Sequence, residues 1–240
     1  MKRGGGAPPV ARHRSWRYLS SGGSANVPAS LRPLGAANFG GLANGSGAEL
    51  TVGLVEWARE LSRAQLEEVL PRRWAHVQSV ATEAQRIAGL LGEDGDLLVA
   101  AALLHDVGYA PQLAAAGFHP LDGARYLTSL GASRRLTCLV ARHCCASLEA
   151  EMRGVEADIA QFEDEVSATR DALWYCDMVT GPDGQRLRFA DRVAEIRQRY
   201  GESTLVSRFI VRASAGELGA AVERTMARMA QAGIDQPRYG

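Results

Sequence analysis

His105 and Asp106 stand side by side at the end of the apolar stretch that begins at Ala100. Counting back from His105, Ala101, Leu98 and Leu97 recur at helical spacing, so the imidazole leaves the helix on the face that packs inward. A charge carried into a core needs a partner, and a metal ion is one that both an imidazole and a carboxylate accept. An isolated pair of this kind reads more simply as a core histidine beside a surface carboxylate. Here, however, three more of the five histidines, His76, His119 and His143, fall on or at the mouth of the same inward surface, and Asp177 joins them from a later helix. A set of imidazoles and carboxylates without thiolates suits a catalytic Mn, Fe, Co, Ni or Zn ion better than a structural cysteine zinc site. One ion takes about three or four protein ligands, so six candidates exceed a single site. The expectation is a divalent metal, one ion or two, with the centrally placed Asp106 as the bridge between two.

The rest of the composition narrows the chemistry. Lys2 is the only lysine, so any cation offered to a substrate by the core is arginine, protonated histidine or a metal, and lysine-based mechanisms drop out. Formal charge is zero, but six of the 27 basic residues and only Glu49 of the acidic ones stand in residues 1–50. The remainder, 21 basic against 26 acidic, is mildly acidic and carries no footprint for nucleic acid or an anionic membrane. No apolar run approaches the roughly 18 residues of a membrane span or forms the apolar core of a secretory signal, which implies a cytoplasmic protein. Cys138, Cys144, Cys145 and Cys176 show no C-x-x-C spacing and read as reduced and mostly buried thiols in helices.

Two domains of composition are visible. Residues 1–50 hold ten of the 26 glycines and four of the nine prolines with no apolar periodicity, the pattern of a disordered, basic tail. Residues 51–240 read as one metal-binding helical domain. The spacing predicts an opening helix or helix pair from Leu54, ended near Pro71, and a long amphipathic helix over 72–91 with His76, Val80, Ala84, Ile87 and Leu91 in one stripe. A central helix follows over 96–106, stopped by Gly108, then a loop over 108–117. His119-Pro120 opens the next helix, with proline where its missing N–H costs nothing, and Ser133 caps another that carries Leu136, Leu139, Val140 and His143 inward. Further helices are expected over 148–162, 166–179, 190–199 and 203–232, with a turn at 181–184. No strand, hairpin or repeat pattern stands out, so the fold class is all-α, a helical bundle.

In order along the chain, His76, His105-Asp106 and Asp177 resemble the H…HD…D signature of the HD-domain metal-dependent phosphohydrolases, over about residues 54–200. His119, in Gly-Phe-His-Pro-Leu-Asp-Gly, and His143, in Ala-Arg-His-Cys-Cys, are similar to the two additional histidines of the binuclear branches, which include cyclic-dinucleotide phosphodiesterases. Those enzymes carry a lysine after the glycine of the central motif and a second histidine or an acid after the fourth histidine. Tyr109 and Cys144-Cys145 stand there instead, which sets the chain apart from that subgroup.

The resemblance implies an HD-domain-like bundle in which His76, His105, Asp106 and Asp177 hold a first ion and Asp106, His119 and His143 a second. It implies a phosphomono- or phosphodiesterase that attacks a nucleotide or another small phosphate ester with metal-activated water; the charge balance adds that neither a nucleic-acid polymer nor a membrane is expected as partner. Asp106 and His105 are then catalytic, and Arg73, three residues before His76 on the same helical face, is placed to meet a substrate phosphate. The alternative for Arg73 is a solvated charge at a helix start. Arg125 and Arg142 are weaker candidates for the phosphate and read as outer-face charges, and Tyr109 reads as a packing residue, with lining the pocket or donating a hydrogen bond as the alternative. Cys144, Cys145 and Cys176 adjoin candidate ligands in sequence, but helical neighbours diverge by about 100°, which leaves them to the core or to supporting contacts. The same ligand order also resembles the mixed-valence di-iron oxygenases of this superfamily, which cleave inositols and phosphonates. A non-catalytic, metal-bound regulatory domain is the third reading.

Overall fold

In the computed structural model, which describes residues 53–235, every regular element is a helix. The tail expected over 1–50 lies outside the described residues. Helix α1 (Leu54–Leu66) buries Trp57, Ala58, Leu61 and Leu66 on one face, and α2 (Pro71–Ile87) begins with Pro71 in its first turn. Beyond Ile87 the chain tightens into a 3-10 segment, Ala88–Asp94, so the helix expected over 72–91 ends a turn early. Gly92 reverses the chain there with φ 57° and ψ −122°, a conformation that a side chain opposes.

The most apolar stretch then forms α3 (Gly95–Leu104), in which every residue from Leu98 to Leu104 is buried. A helix that is apolar all round belongs in the middle of a bundle, and α3 packs against α1, α2, α5 (Arg134–Arg142) and α8 (Ala168–Met178). It ends at Leu104, so Gly108 is not its stop as expected. Gly108 lies in a 3-10 turn, Val107–Tyr109, and its φ is not positive. A Cβ there would lie 2.1 Å from the His119 carbonyl oxygen and 2.5 Å from the Gly123 nitrogen. Glycine is required because this turn presses against α4 (His119–Ser129), backbone to backbone.

Ser133 caps α5 as expected, its hydroxyl accepting from the Leu136 N–H. Two expected helices are broken. The segment 148–162 splits into α6 (Ala146–Arg153) and the single turn α7 (Glu156–Ile159), parted by Gly154 at φ 72°. The segment 203–232 splits into α10 (Leu205–Ser214) and α11 (Glu217–Gln231) at Ala215-Gly216. There the two helices meet so closely that a Cβ on Gly219 would lie 2.2 Å from the Ser214 carbonyl oxygen. Before them in sequence, α9 (Phe189–Tyr200) follows the expected 181–184 turn and pairs with α10, which also packs on α6 and α11. The buried Asp171 accepts from Arg224 at 2.8 Å and Arg228 at 3.2 Å and so ties α8 to α11.

All four cysteines are free, and only Cys144 is more than marginally exposed. Among the described residues no helix is long and apolar enough to cross a membrane. Replacing Gly108 by alanine should force the Val107–Tyr109 turn off α4 and cost about 3 kcal/mol, the upper range for overpacking. Thermal unfolding of Gly108→Ala measures this, and an unchanged midpoint would show that the two backbones are not in the stated contact.

Candidate metal centre

Three of the four inward histidines are aimed by the backbone. The Nδ1 of His76 lies 2.9 Å from the Gly181 carbonyl, that of His105 2.7 Å from Ala102, and that of His143 2.6 Å from Val140. A carbonyl only accepts, so each Nδ1 carries the proton and donates, which turns the Nε2 face of each ring toward the others. His119 is held differently, with its ring stacked on Tyr109 at 3.9 Å. The 181–184 turn thus contributes an anchor for His76 that periodicity does not reveal.

His143 depends on an unusual backbone. The sequence spacing places it within a continuous helix, but α5 ends at Arg142 and the next residues break the helix. Cys144 (φ 46°, ψ 46°) and Cys145 (φ 58°, ψ 34°) are both left-handed, a conformation that costs about 1–2 kcal/mol for each non-glycine residue. The break brings the Cys144 thiol 2.7 Å from Asp177 Oδ2, to which it donates. Cys144 is therefore a direct support for a candidate ligand and not a member of a regular helix.

These aimed groups converge on one carboxylate. Asp106 Oδ2 lies 3.3 Å from His105 Nε2 and 3.8 Å from His76 Nε2, while Oδ1 lies 3.4 Å from His119 Nε2 and 3.9 Å from His143 Nε2. Asp177 Oδ1 lies 3.1 Å from His76 Nε2 and 3.9 Å from His105 Nε2. Two groups of possible ligands result, His76 with His105 and Asp177, and Asp106 with His119 and His143; within each, the ligand atoms lie within 4.8 Å of one another. The donors fit a cation. His105 Nε2 is fully buried with no hydrogen-bond partner, and an imidazole lone pair facing a carboxylate oxygen is repulsive unless a proton or a cation stands between them. All six residues that the sequence singles out as ligands come together here.

Comparison with known proteins bears on the same residues. The segment 73–169 matches the family model described as HD domain. Over that segment the chain is similar to an HD domain. Ribonuclease Y of Rubrobacter xylanophilus is 38% identical over 96 residues, 40% of this chain and 18% of that protein, so the chain spans less than a fifth of that relative's length. No solved structure matches. The HD-domain superfamily is one of metal-dependent phosphohydrolases; His76, His105, Asp106, His119 and His143 lie within the matched segment and Asp177 just beyond it.

Charge in the cluster is divided. Burial pushes the His105 pKa down, but Asp106 and Asp177 outweigh it and lift the group to about 9. Burial alone would raise both carboxylates; Arg73 and His105 instead hold Asp106 well below the usual range, and His76 and His105 do the same for Asp177. His119 and His143 are pushed down by burial, aided by the neighbouring histidines, and stay neutral. Arg73 does not stand free. Its guanidinium donates to Asp106 Oδ2 at 2.6 Å and stacks over the Tyr109 ring at 4.1 Å.

The centre opens into a cavity of about 320 Å³. Arg73, Asp106, His119, His143 and Asp177 line its floor, and α9 and α10 supply a wall with Arg192, Ile196 and Phe209. The sequence does not single out these wall residues, because isolated arginines and aliphatics in an amphipathic helix look like any solvated or core face. Arg125 pairs with Asp158 at the surface and Arg142 ties down Phe162 and Ser147, in keeping with outer-face roles.

Because His105 holds its proton up to about pH 9, a cation binding at neutral pH must displace it. Metal binding at pH 7 should release about one proton per chain, with affinity rising as pH rises toward 9. Calorimetric titration in buffers of different ionisation heat reads this directly. A heat that does not depend on the buffer would show that His105 is neutral before metal binds.

Proposed function

We propose that this HD-like domain is a hydrolase of small phosphate esters, nucleotides or similar mono- or diesters, working through a two-ion centre. The reading is supported above all by Asp106, whose two oxygens face two separate imidazole groups beneath an arginine-lined cavity. His76, His105 and Asp177 would hold one ion, His119 and His143 the other, and Asp106 both. Divalent ions there would supply Lewis acidity toward the phosphoryl oxygens and hydroxide at neutral pH.

The chain's own groups supply the rest. The Nδ1 anchors on Gly181, Ala102 and Val140 keep three Nε2 atoms fixed on the centre, so little reorganisation is needed when a substrate arrives. Arg73 stands at the cavity floor with a charge that never titrates, suited to two-pronged contact with phosphate oxygens once cations take over Asp106. Tyr109 stays protonated, since burial raises its pKa well above the ordinary value, and its ring carries both Arg73 and His119. A small ester is favoured over an RNA chain by the size of the cavity and by the mild net acidity of residues 51–240.

Protein stripped of metal and reconstituted anaerobically with Mn²⁺ should hydrolyse p-nitrophenyl phosphate or its diester, or release phosphate from a nucleotide. Asp106→Ala should lower the rate by about 100-fold or more, which also guards against a contaminating phosphatase. Inert Mn²⁺, Co²⁺ and Zn²⁺ forms beside an iron form that consumes oxygen with a polyol or phosphonate would replace the hydrolase by the oxygenase reading.

A further inference from the structure

Helices α9 and α10 lie beyond the segment that matches the family, yet they build one side of the cavity. The corner between them is fixed. Gly201 turns the chain at φ 86°, Thr204 caps α10 through the Ser207 N–H, and the Ser207 hydroxyl donates to the Gly201 carbonyl at 2.7 Å. The hairpin brings two different surfaces to the centre. Arg192, 4% exposed, lines the cavity with its Nη2 3.9 Å from Asp177 Oδ1. Glu195 holds one end of its guanidinium through Nη1, which leaves Nη2 beside the centre as the end a phosphate oxygen could meet. The other surface is apolar: Ile196, Tyr200, Val206, Phe209 and Ile210. Arg199, beside them, is taken up by Glu195 at 2.8 Å and by stacking on Tyr200, so it adds a flat lid edge and little free charge.

We propose that the α9–α10 hairpin selects the organic half of the substrate: Arg192 meets the phosphate, and the Ile196–Tyr200–Val206–Phe209–Ile210 surface takes one compact apolar or aromatic group. The proposal rests on the phosphoester reading above and narrows it. A cavity of about 320 Å³ stands at the lower end of small-molecule sites, enough for a phosphate and a ring. A polyol or sugar phosphate would lay hydroxyls against five side chains of which only Tyr200 can answer them, so such esters are disfavoured. The aromatic ring of Phe209, well buried in the wall, offers the edge and face contacts that favour a second ring.

The test uses the full chain loaded with Mn²⁺ and compares phenylphosphonate with methylphosphonate by calorimetry under anaerobic conditions. Neither compound has an ester bond to hydrolyse, so binding is read apart from turnover. Phenylphosphonate should bind about tenfold or more tightly, and Phe209→Ala should bring the two affinities together. Because Phe209 also packs in the core, Val206→Trp serves as the second variant. Val206 is only half-buried, and a bulky ring there should weaken phenylphosphonate far more than methylphosphonate. Arg192→Ala should weaken both ligands alike. Equal affinities in the wild type, or a phenyl preference that survives Val206→Trp, would overturn the selector while leaving the hydrolase reading intact. Failure of both phosphonates to bind would overturn the selector, and hydrolysis by the same preparation would then decide the phosphoester reading by itself. A phenyl preference in a protein that hydrolyses no ester would overturn the phosphoester reading and with it the selector's role toward an ester.

Discussion

Asp106 is the buried carboxylate on which the centre depends, because both of its oxygens are engaged from opposite sides. Oδ2 faces His105, His76 and Arg73, and Oδ1 faces His119 and His143. An anion so enclosed is tolerable only when positive charge surrounds it. Among the protein's own groups that charge comes from Arg73 and from a proton kept on His105. Two cations would meet the same demand and satisfy the imidazole lone pairs as well. The proton on His105 would give way to such an ion.

The surrounding packing holds this geometry and absorbs local strain in doing so. Two consecutive left-handed cysteines cost about 2–4 kcal/mol together. Burying Leu98, Leu103 and Leu104 in α3 returns about 1.5–3 kcal/mol each, so the central helix alone can offset the break after α5. What the break supplies is position: His143 enters the cluster and Cys144 reaches Asp177. Gly108 does the same on the other side, letting the turn that follows Asp106 touch α4 so that His119 sits over Tyr109. The Asp171 ion cluster, holding α8 against α11, fixes the helix from which Asp177 projects.

Much of this is written in the sequence in a form that periodicity reads. The all-α fold, the buried α3, the Ser133 cap and the convergence of His76, His105, Asp106, His119, His143 and Asp177 follow from helical spacing and the order of ligand types. What escapes is whatever depends on the meeting of distant backbones. Gly108 looks like a helix stop, but its need for hydrogen in place of Cβ comes from His119 and Gly123. The turn at Ala215-Gly216 hides inside an unbroken amphipathic pattern, and Cys144-Cys145 carry no local signal for a left-handed backbone. Arg192 is the clearest case, since a charge in a helix reads as solvated until it is seen buried beside Asp177. The segment 1–50 is legible only as composition and lies outside the described residues.

The account stands or falls on two cations sharing Asp106. Anomalous diffraction from crystals of Mn²⁺-loaded protein, collected on both sides of the manganese edge, measures this most directly. The expected map has two peaks per chain, one among His76, His105 and Asp177 and one against His119 and His143, with an oxygen of Asp106 directed at each. A single peak, or two peaks of which one does not touch Asp106, would contradict it.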